Sequence, residues 1–215
     1  MVEKYFGTIP QCPKVEKTIL PSPVLEKDRL VRMTDQYAKL PLLYCAMPTV
    51  AARHKDEVAL DCLAEILGGD NNSILYQRLV KTQKALNASC SNPTDELAGN
   101  FQFSVTPKPG TPLADMEKEI RAALKEFETK GVSNEALAKF KLNREAYQIY
   151  DLESVSGKVS KLASYQTFTG DANYLKKEMK QLSELTKDDV IRVYNQYIKD
   201  KPMVILSVLT KGTEI

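Results

Sequence analysis

The chain contains one histidine, His54, and it opens the string "HKDEV". That string differs at one position from H-x-x-E-H, in which two histidines four apart on a helix bind zinc while the glutamate activates water. Here Val58 stands where the second histidine would be. Catalytic zinc takes three protein ligands and leaves a fourth position open. Glu57 and Asp61 add carboxylates on the following turns, but one imidazole among oxygens is a poor zinc trap. His54 therefore reads as a surface residue near a helix start, and the metal-ligand set is read as none. A self-sufficient metal hydrolase centred on His54 and Glu57 is the outlying alternative. A Ser–His–Asp triad would need the same histidine, and no G-x-S-x-G elbow occurs. The pair Asp188–Asp189 is explained by a helix N-terminus, where the dipole favours acids. The set of catalytic residues is also read as none.

The stretch "LGGDNNSILYQRL", residues 67–79, is the other candidate. It matches neither G-x-G-x-x-G nor the P-loop pattern, and its glycines follow a helix, whereas a dinucleotide loop follows a strand. Locally, Gly68 and Gly69 stop one helix at the usual place for a left-handed residue, and Asn71 or Asn72 caps the next. The four cysteines, Cys12, Cys45, Cys62 and Cys90, show no C-x-x-C spacing and read as free thiols.

The elements that must position these residues follow from periodicity. Residues 29–35 and 40–47 are expected strands, the second ("LPLLYCAM") apolar enough for a buried strand ended by Pro48. Residues 56–67 form a helix with Ala59, Cys62, Leu63, Ile66 and Leu67 on one face, and residues 73–83 a second. A strand near 86–91 pairs with "NFQFSVT", residues 100–106, whose apolar residues alternate with polar ones. Helices follow: one carrying Leu113, Met116, Ile120, Leu124 and Phe127 and ended by Gly131, one over 133–150, one with a stripe of Val155, Val159, Leu162 and Ala163 ended near Gly170, and one over 173–182. Thr186 and Asp189 have capping-box spacing before a helix with Val190, Val193, Tyr194, Tyr197 and Ile198 on one face. "PMVILSVL" is the last strand. The stripes are expected to be core. The order implies an α+β fold, an antiparallel sheet with helices packed on one face.

Thirty basic and 28 acidic residues among 215 leave a net charge of +2, without the basic excess that nucleic-acid binding requires. No run reaches the length of a membrane span, and the N-terminus lacks a signal-peptide core. Its prolines suggest a connecting segment within a longer protein, with Met1 an added residue.

The region from "LLYCAMP" through "HKD", "AL", "ILGG" and "SILYQRL" to "ALNAS" resembles the second, non-catalytic repeat of the insulinase/pitrilysin family of zinc metallopeptidases, which includes mitochondrial processing peptidase. The matching pieces are Ala46-Met47-Pro48, His54-Lys55-Asp56, Ala59-Leu60, Ile66-Leu67-Gly68-Gly69 and Ser73 through Leu79. "YFGTIP", residues 5–10, is similar to the segment joining two repeats. The resemblance implies a connecting segment over 1–28 and one non-catalytic α+β domain over 29–215. It implies no cofactor in this chain, with zinc held by an HxxEH-bearing catalytic domain or subunit as partner, the two closing around an unfolded peptide. It points to Gly68, Gly69, Asp70, Asn71, Asn72, Ser73 and Asn87 as substrate-contact candidates, and to a bacterial envelope or periplasmic location. No catalytic activity is expected of this chain alone. Val80 replaces the family's substrate arginine, Asn87 its tyrosine and Asp70 the third loop glycine. The alternative is a scaffold domain of the same fold with no role in proteolysis, like the core subunits of the respiratory bc complex.

Overall fold

In the computed structural model, residues 1–10, 12–13, 21 and 23–211 are described. Five strands form one sheet: β1 (Arg29–Asp35), β2 (Leu42–Thr49), β3 (Ala85–Ser91), β4 (Gly99–Pro107) and β5 (Val204–Thr210), in the order β1-β5-β2-β4-β3. The expected antiparallel pairing holds for β5–β2, β2–β4 and β4–β3. It fails at the edge, where β1 runs parallel to β5. Most of the chain separates these two strands, and so long a crossover permits parallel pairing. The helices are α1 (Val2–Phe6), α2 (Glu57–Gly68), α3 (Leu113–Lys130), α4 (Asn134–Asp151), α5 (Val155–Thr169), α6 (Leu175–Glu184) and α7 (Lys187–Val193), with π-helical turns at Tyr76–Val80 and Tyr194–Ile198.

The strands alternate as a half-covered sheet must. In β2, Leu43, Cys45, Met47 and Thr49 are buried while their neighbours are only half-buried, so the apolar "LPLLYCAM" is not buried on both faces. Pro48 lies inside the strand instead of ending it. Asn100, opposite Pro48, donates its N–H to the Pro93 carbonyl (3.0 Å) and not to β2. The nitrogen of Pro48 thus faces the β5 side, and Ala46 is the last β2 residue paired there, so no ladder bond is lost.

Phe101, Phe103 and Val105 of β4 join the buried β2 residues. Leu60, Leu63 and Leu67 of α2, Met116, Ile120 and Phe127 of α3, and Val190, Val193, Tyr194 and Ile198 close over them. Each such side chain contributes about 1.5–3 kcal/mol, which makes this covered face the source of the fold's stability. The capping box at Thr186–Asp189 forms as its spacing predicts.

Three local expectations change. Gly68 is the last residue of α2, and Gly69 is right-handed (φ −82°, ψ −34°). The need at Gly68 is room: a Cβ there would lie 2.3 Å from the backbone nitrogen of Cys90. Next, Ser73, not Asn71 or Asn72, caps the following helix, its hydroxyl accepting from the Tyr76 N–H at 3.4 Å. Asp70 is the reason, because its carboxylate already takes the Asn72 N–H at 2.7 Å, in a local turn that competes with capping. Finally, the α5 stripe is not core. Val155, Val159 and Leu162 are 77%, 61% and 51% exposed. α5 packs through the opposite face, where Tyr165 is buried, Lys161 bonds to Asp151 at 3.2 Å, and Ser164 meets Arg53 at 3.2 Å.

Candidate functional site

Three regions hold the residues singled out above. The first is the start of α2. His54 is 41% exposed on its side chain, and its Nδ1 accepts the Asp56 N–H at 3.2 Å. Asp56 is 1% exposed and accepts from Arg192 (2.7 Å) and the Tyr197 hydroxyl (2.8 Å). Burial opposes its charge, but those two donors hold its carboxyl below the usual range. Asp56 therefore ties the front of α2 to the C-terminal helix.

The next residue, Glu57, accepts from the Thr94 hydroxyl at 2.6 Å and from the Arg53 N–H. Asp61 accepts from Asn92 (3.0 Å) and pairs with Arg144 (3.1 Å). Thr49 donates to Asn92 at 3.0 Å and extends this chain into the sheet. Burial pushes the Asp61 carboxyl up to about 6, with Arg144 and Asn92 pulling it back. Each oxygen-bearing candidate is thus engaged by protein donors. Among the described residues no group of three His, Cys, Asp or Glu side chains converges to hold a metal. Arg144 and Asn92 were not legible as partners of Asp61, since their sequence distance leaves no local signal.

The second region is the glycine-rich loop. Asp70, Asn72 and Ser73 face an open groove of about 400 Å³ whose far wall is the end of α3 and the start of α4, including Lys130, Ser133 and Lys139. Lys139 of α4 bonds the Asp70 carboxylate. Burial raises the Asp70 pKa, but Lys139 and the Asn72 N–H outweigh it and the carboxyl lies below its ordinary value. Gln77 reaches back to the Asn71 carbonyl at 2.6 Å. The third-glycine position thus carries a side chain that fastens the loop to α4.

The third region is the open face of the sheet. The registers place Tyr44, Gln102, Ser104, Thr106, Asn87, Ser89 and Ser91 on it. Tyr44 donates to Gln102 Oε1, and Gln102 Nε2 donates to Ser91 Oγ at 2.9 Å, so a hydrogen-bonded row crosses β2, β4 and β3. Towards β5 and β1 the same face turns apolar, with Leu42, Leu206, Val208, Val31 and Met33. Asn87 belongs to this surface. Gly68 instead abuts the Ser89–Cys90 backbone from the helix-covered side. The seven candidates therefore do not form one site: Asn87 and the loop lie on opposite faces of β3. The row itself was not legible beforehand, because alternation marks Gln102 and Ser104 only as the wet side of a strand and the pairing supplies the rest.

A family model described as the peptidase M16 inactive domain matches residues 1–143. The zinc protease PqqE of Helicobacter pylori is 33% identical over 151 residues, covering 70% of this chain and 34% of that protein. The crystal structure of a protease from Helicobacter pylori superposes with a TM-score of 0.83 at 26% identity, over 96% of this chain and 50% of that one. The periplasmic protease PqqL of Escherichia coli gives 0.75 at 14% identity, over 98% of this chain and 23% of that one. The chain thus spans about a third of the curated relative it matches.

Proposed function

Because the chain belongs to the peptidase M16 inactive-domain family, a non-catalytic domain of zinc protease-like proteins, we propose that its open sheet face is one wall of a peptide-holding chamber. An HxxEH-bearing domain or subunit carries the zinc and completes the chamber. One observation carries this reading. The Tyr44–Gln102–Ser91 row, with Asn87, Ser89, Ser104 and Thr106 beside it, is an uncharged field of donors and acceptors across three adjacent strands. Such a field suits an extended peptide backbone of varied sequence better than one charged side chain. The resemblance of residues 5–10 to an inter-repeat segment fits a domain over 29–215 with 1–28 as connector. The periplasmic relative favours an envelope location, and no helix among the described residues is long and apolar enough to cross a membrane.

The test joins this chain to an HxxEH-bearing domain and measures hydrolysis of a fluorogenic unfolded peptide. Hydrolysis is expected from the joined pair and from neither part alone, and S104K with Q102K should raise KM while leaving the melting temperature unchanged. An unaltered KM sinks the chamber reading. Val80 and Asn87, in place of the family's arginine and tyrosine, favour a second reading, a scaffold domain of the same fold. That reading expects tight association with the partner and no effect of the open-face variants on peptide turnover.

A further inference from the structure

We propose that the outer edge of β1 is a self-association surface, where β1 pairs antiparallel with β1 of a second copy of this chain and the two sheets become one. Among the described residues β5 is the only strand paired with β1. The strand runs seven residues in unbroken register, Arg29–Asp35 against Val204–Thr210, with no bulge. It contains no proline, and Leu30 and Met33 are 66% and 49% exposed. An edge that no other described strand covers, with apolar side chains, is a template for another strand. Beneath it lies a groove of about 420 Å³ lined by Leu30, Pro41, Leu43, Leu113 and Leu209, which an added strand would wall off.

The backbone fixes which residues can pair. The Arg29 N–H donates to the Met203 carbonyl at 3.0 Å, so Arg29 points its peptide groups at β5. Alternation then turns those of Val31, Met33 and Asp35 the same way and frees those of Leu30, Arg32 and Thr34 at the outer edge. A two-fold axis at Arg32 uses the whole strand. It makes Leu30–Thr34 and Arg32–Arg32 hydrogen-bonded pairs, and Val31–Met33 and Arg29–Asp35 non-hydrogen-bonded pairs, whose side chains lie closer together. The closer pairs are the apolar one and the oppositely charged one. The surface is therefore self-complementary, as an isologous dimer requires. No ion pair among the described residues uses Arg29, Arg32 or Asp35, and Asp35 accepts only the Tyr37 N–H, at 2.8 Å. Charged side chains ordinarily guard an edge; here Asp35 answers Arg29 across the axis, and Arg32 opposite itself limits the affinity.

The test is sedimentation equilibrium of the full 215-residue chain, with circular dichroism to check that each variant is folded. The wild type is expected to dimerise. R29D alone and D35R alone each set like charges opposite one another at both ends of the pair, and should weaken the dimer by roughly tenfold or more. The double variant R29D/D35R should restore it. An equimolar mixture of the two single variants should form a heterodimer, because each end of the pair then sets an acid opposite a base. R32T should tighten association. A wild type that stays monomeric overturns the proposal and leaves the edge to another occupant, such as a strand of a different domain. A dimer indifferent to both single variants overturns it equally. Neither result bears on the peptide-chamber reading, which concerns the polar half of the open face.

Discussion

At the scale of single residues, glycines and buried acids carry opposite lessons. Gly68→Ala sets a methyl 2.3 Å from Cys90 N and 2.8 Å from the Ser89 carbonyl carbon, both backbone. Either α2 or β3 must move, and overpacking of this kind costs about 1–3 kcal/mol or more. Gly170→Ala meets nothing within 4 Å but sits in the left-handed conformation (φ +73°, ψ 4°), so its cost is the left-handed strain of about 1–2 kcal/mol. Urea denaturation is expected to rank Gly68→Ala as the more damaging change, with Gly170→Asn nearly neutral. Asp56 and Asp61 differ in sign. Asp56 is held below its unfolded pKa, so its contribution is present above about pH 4 and is lost as pH falls through the folded value. Asp61 titrates near about 6 when folded, so the folded state prefers it protonated. Its charge opposes folding above about pH 6, and stability should rise by on the order of 2 kcal/mol as pH falls from about 6 to 4. Denaturation midpoints across pH should show this rise, and Asp61→Asn should flatten it while leaving the acid limb due to Asp56.

At the scale of elements, α5 shows where sequence periodicity ends. Val155, Val159 and Leu162 recur at helical spacing, and the helix forms with a Ser154 cap (2.9 Å to the Gly157 N–H) and a left-handed Gly170. Its orientation, however, is set by Tyr165, whose hydroxyl donates to Glu178 of α6, and by Lys161 and Ser164. Those partners are polar and lie on other elements, so a pattern of apolar residues cannot report them. Val159→Asp or Leu162→Asp should therefore change stability by no more than about 0.5 kcal/mol. Leu63→Ala in α2, fully buried, should cost about 2–5 kcal/mol. Thermal melts of the three variants check the contrast, and a collapse of Leu162→Asp would place the stripe in the core after all. Strands and helix limits were legible because β-alternation and caps are local. The Asp70–Lys139 and Asp61–Arg144 pairs were not. The first spans 69 residues and the second more, and nothing in either neighbourhood requires the other.

At the scale of the whole molecule, the sheet has two faces and, among the described residues, two edges without a further strand. One face is core, and the other is divided between a polar half on β4 and β3 and an apolar half on β5 and β1. Under the two proposals, the two ends of the sheet do different work, peptide contact at one and association at the other. The fold class is read from the order of elements along the whole chain, and the family resemblance from residues 42–89, where the short motif pieces lie close together despite Asp70 in place of a glycine. The open-face row needed the pairing of three strands before its members became neighbours, since Tyr44 and Gln102 lie 58 residues apart. Peptide turnover and sedimentation should respond to different variants: Q102K should leave the sedimentation coefficient unchanged, and R29D should leave KM unchanged.

The position of β5 also governs when the molecule can exist. This strand lies between β1 and β2, yet it is synthesised after everything else in the sheet. Val204 pairs with Arg29, and beside them the Met203 N–H bonds to Asp28 across 175 residues. A nascent chain can assemble β2, β3, β4 and their helices while β1 waits without a neighbour. Loop closure over such a separation is slow, so the final step is the insertion of the last strand into a gap held open for it. A chain ended at Asp200 should accordingly retain helical circular dichroism, yet expose β1 to proteolysis at Arg29 and Arg32 and refold without the slow phase expected of the full chain.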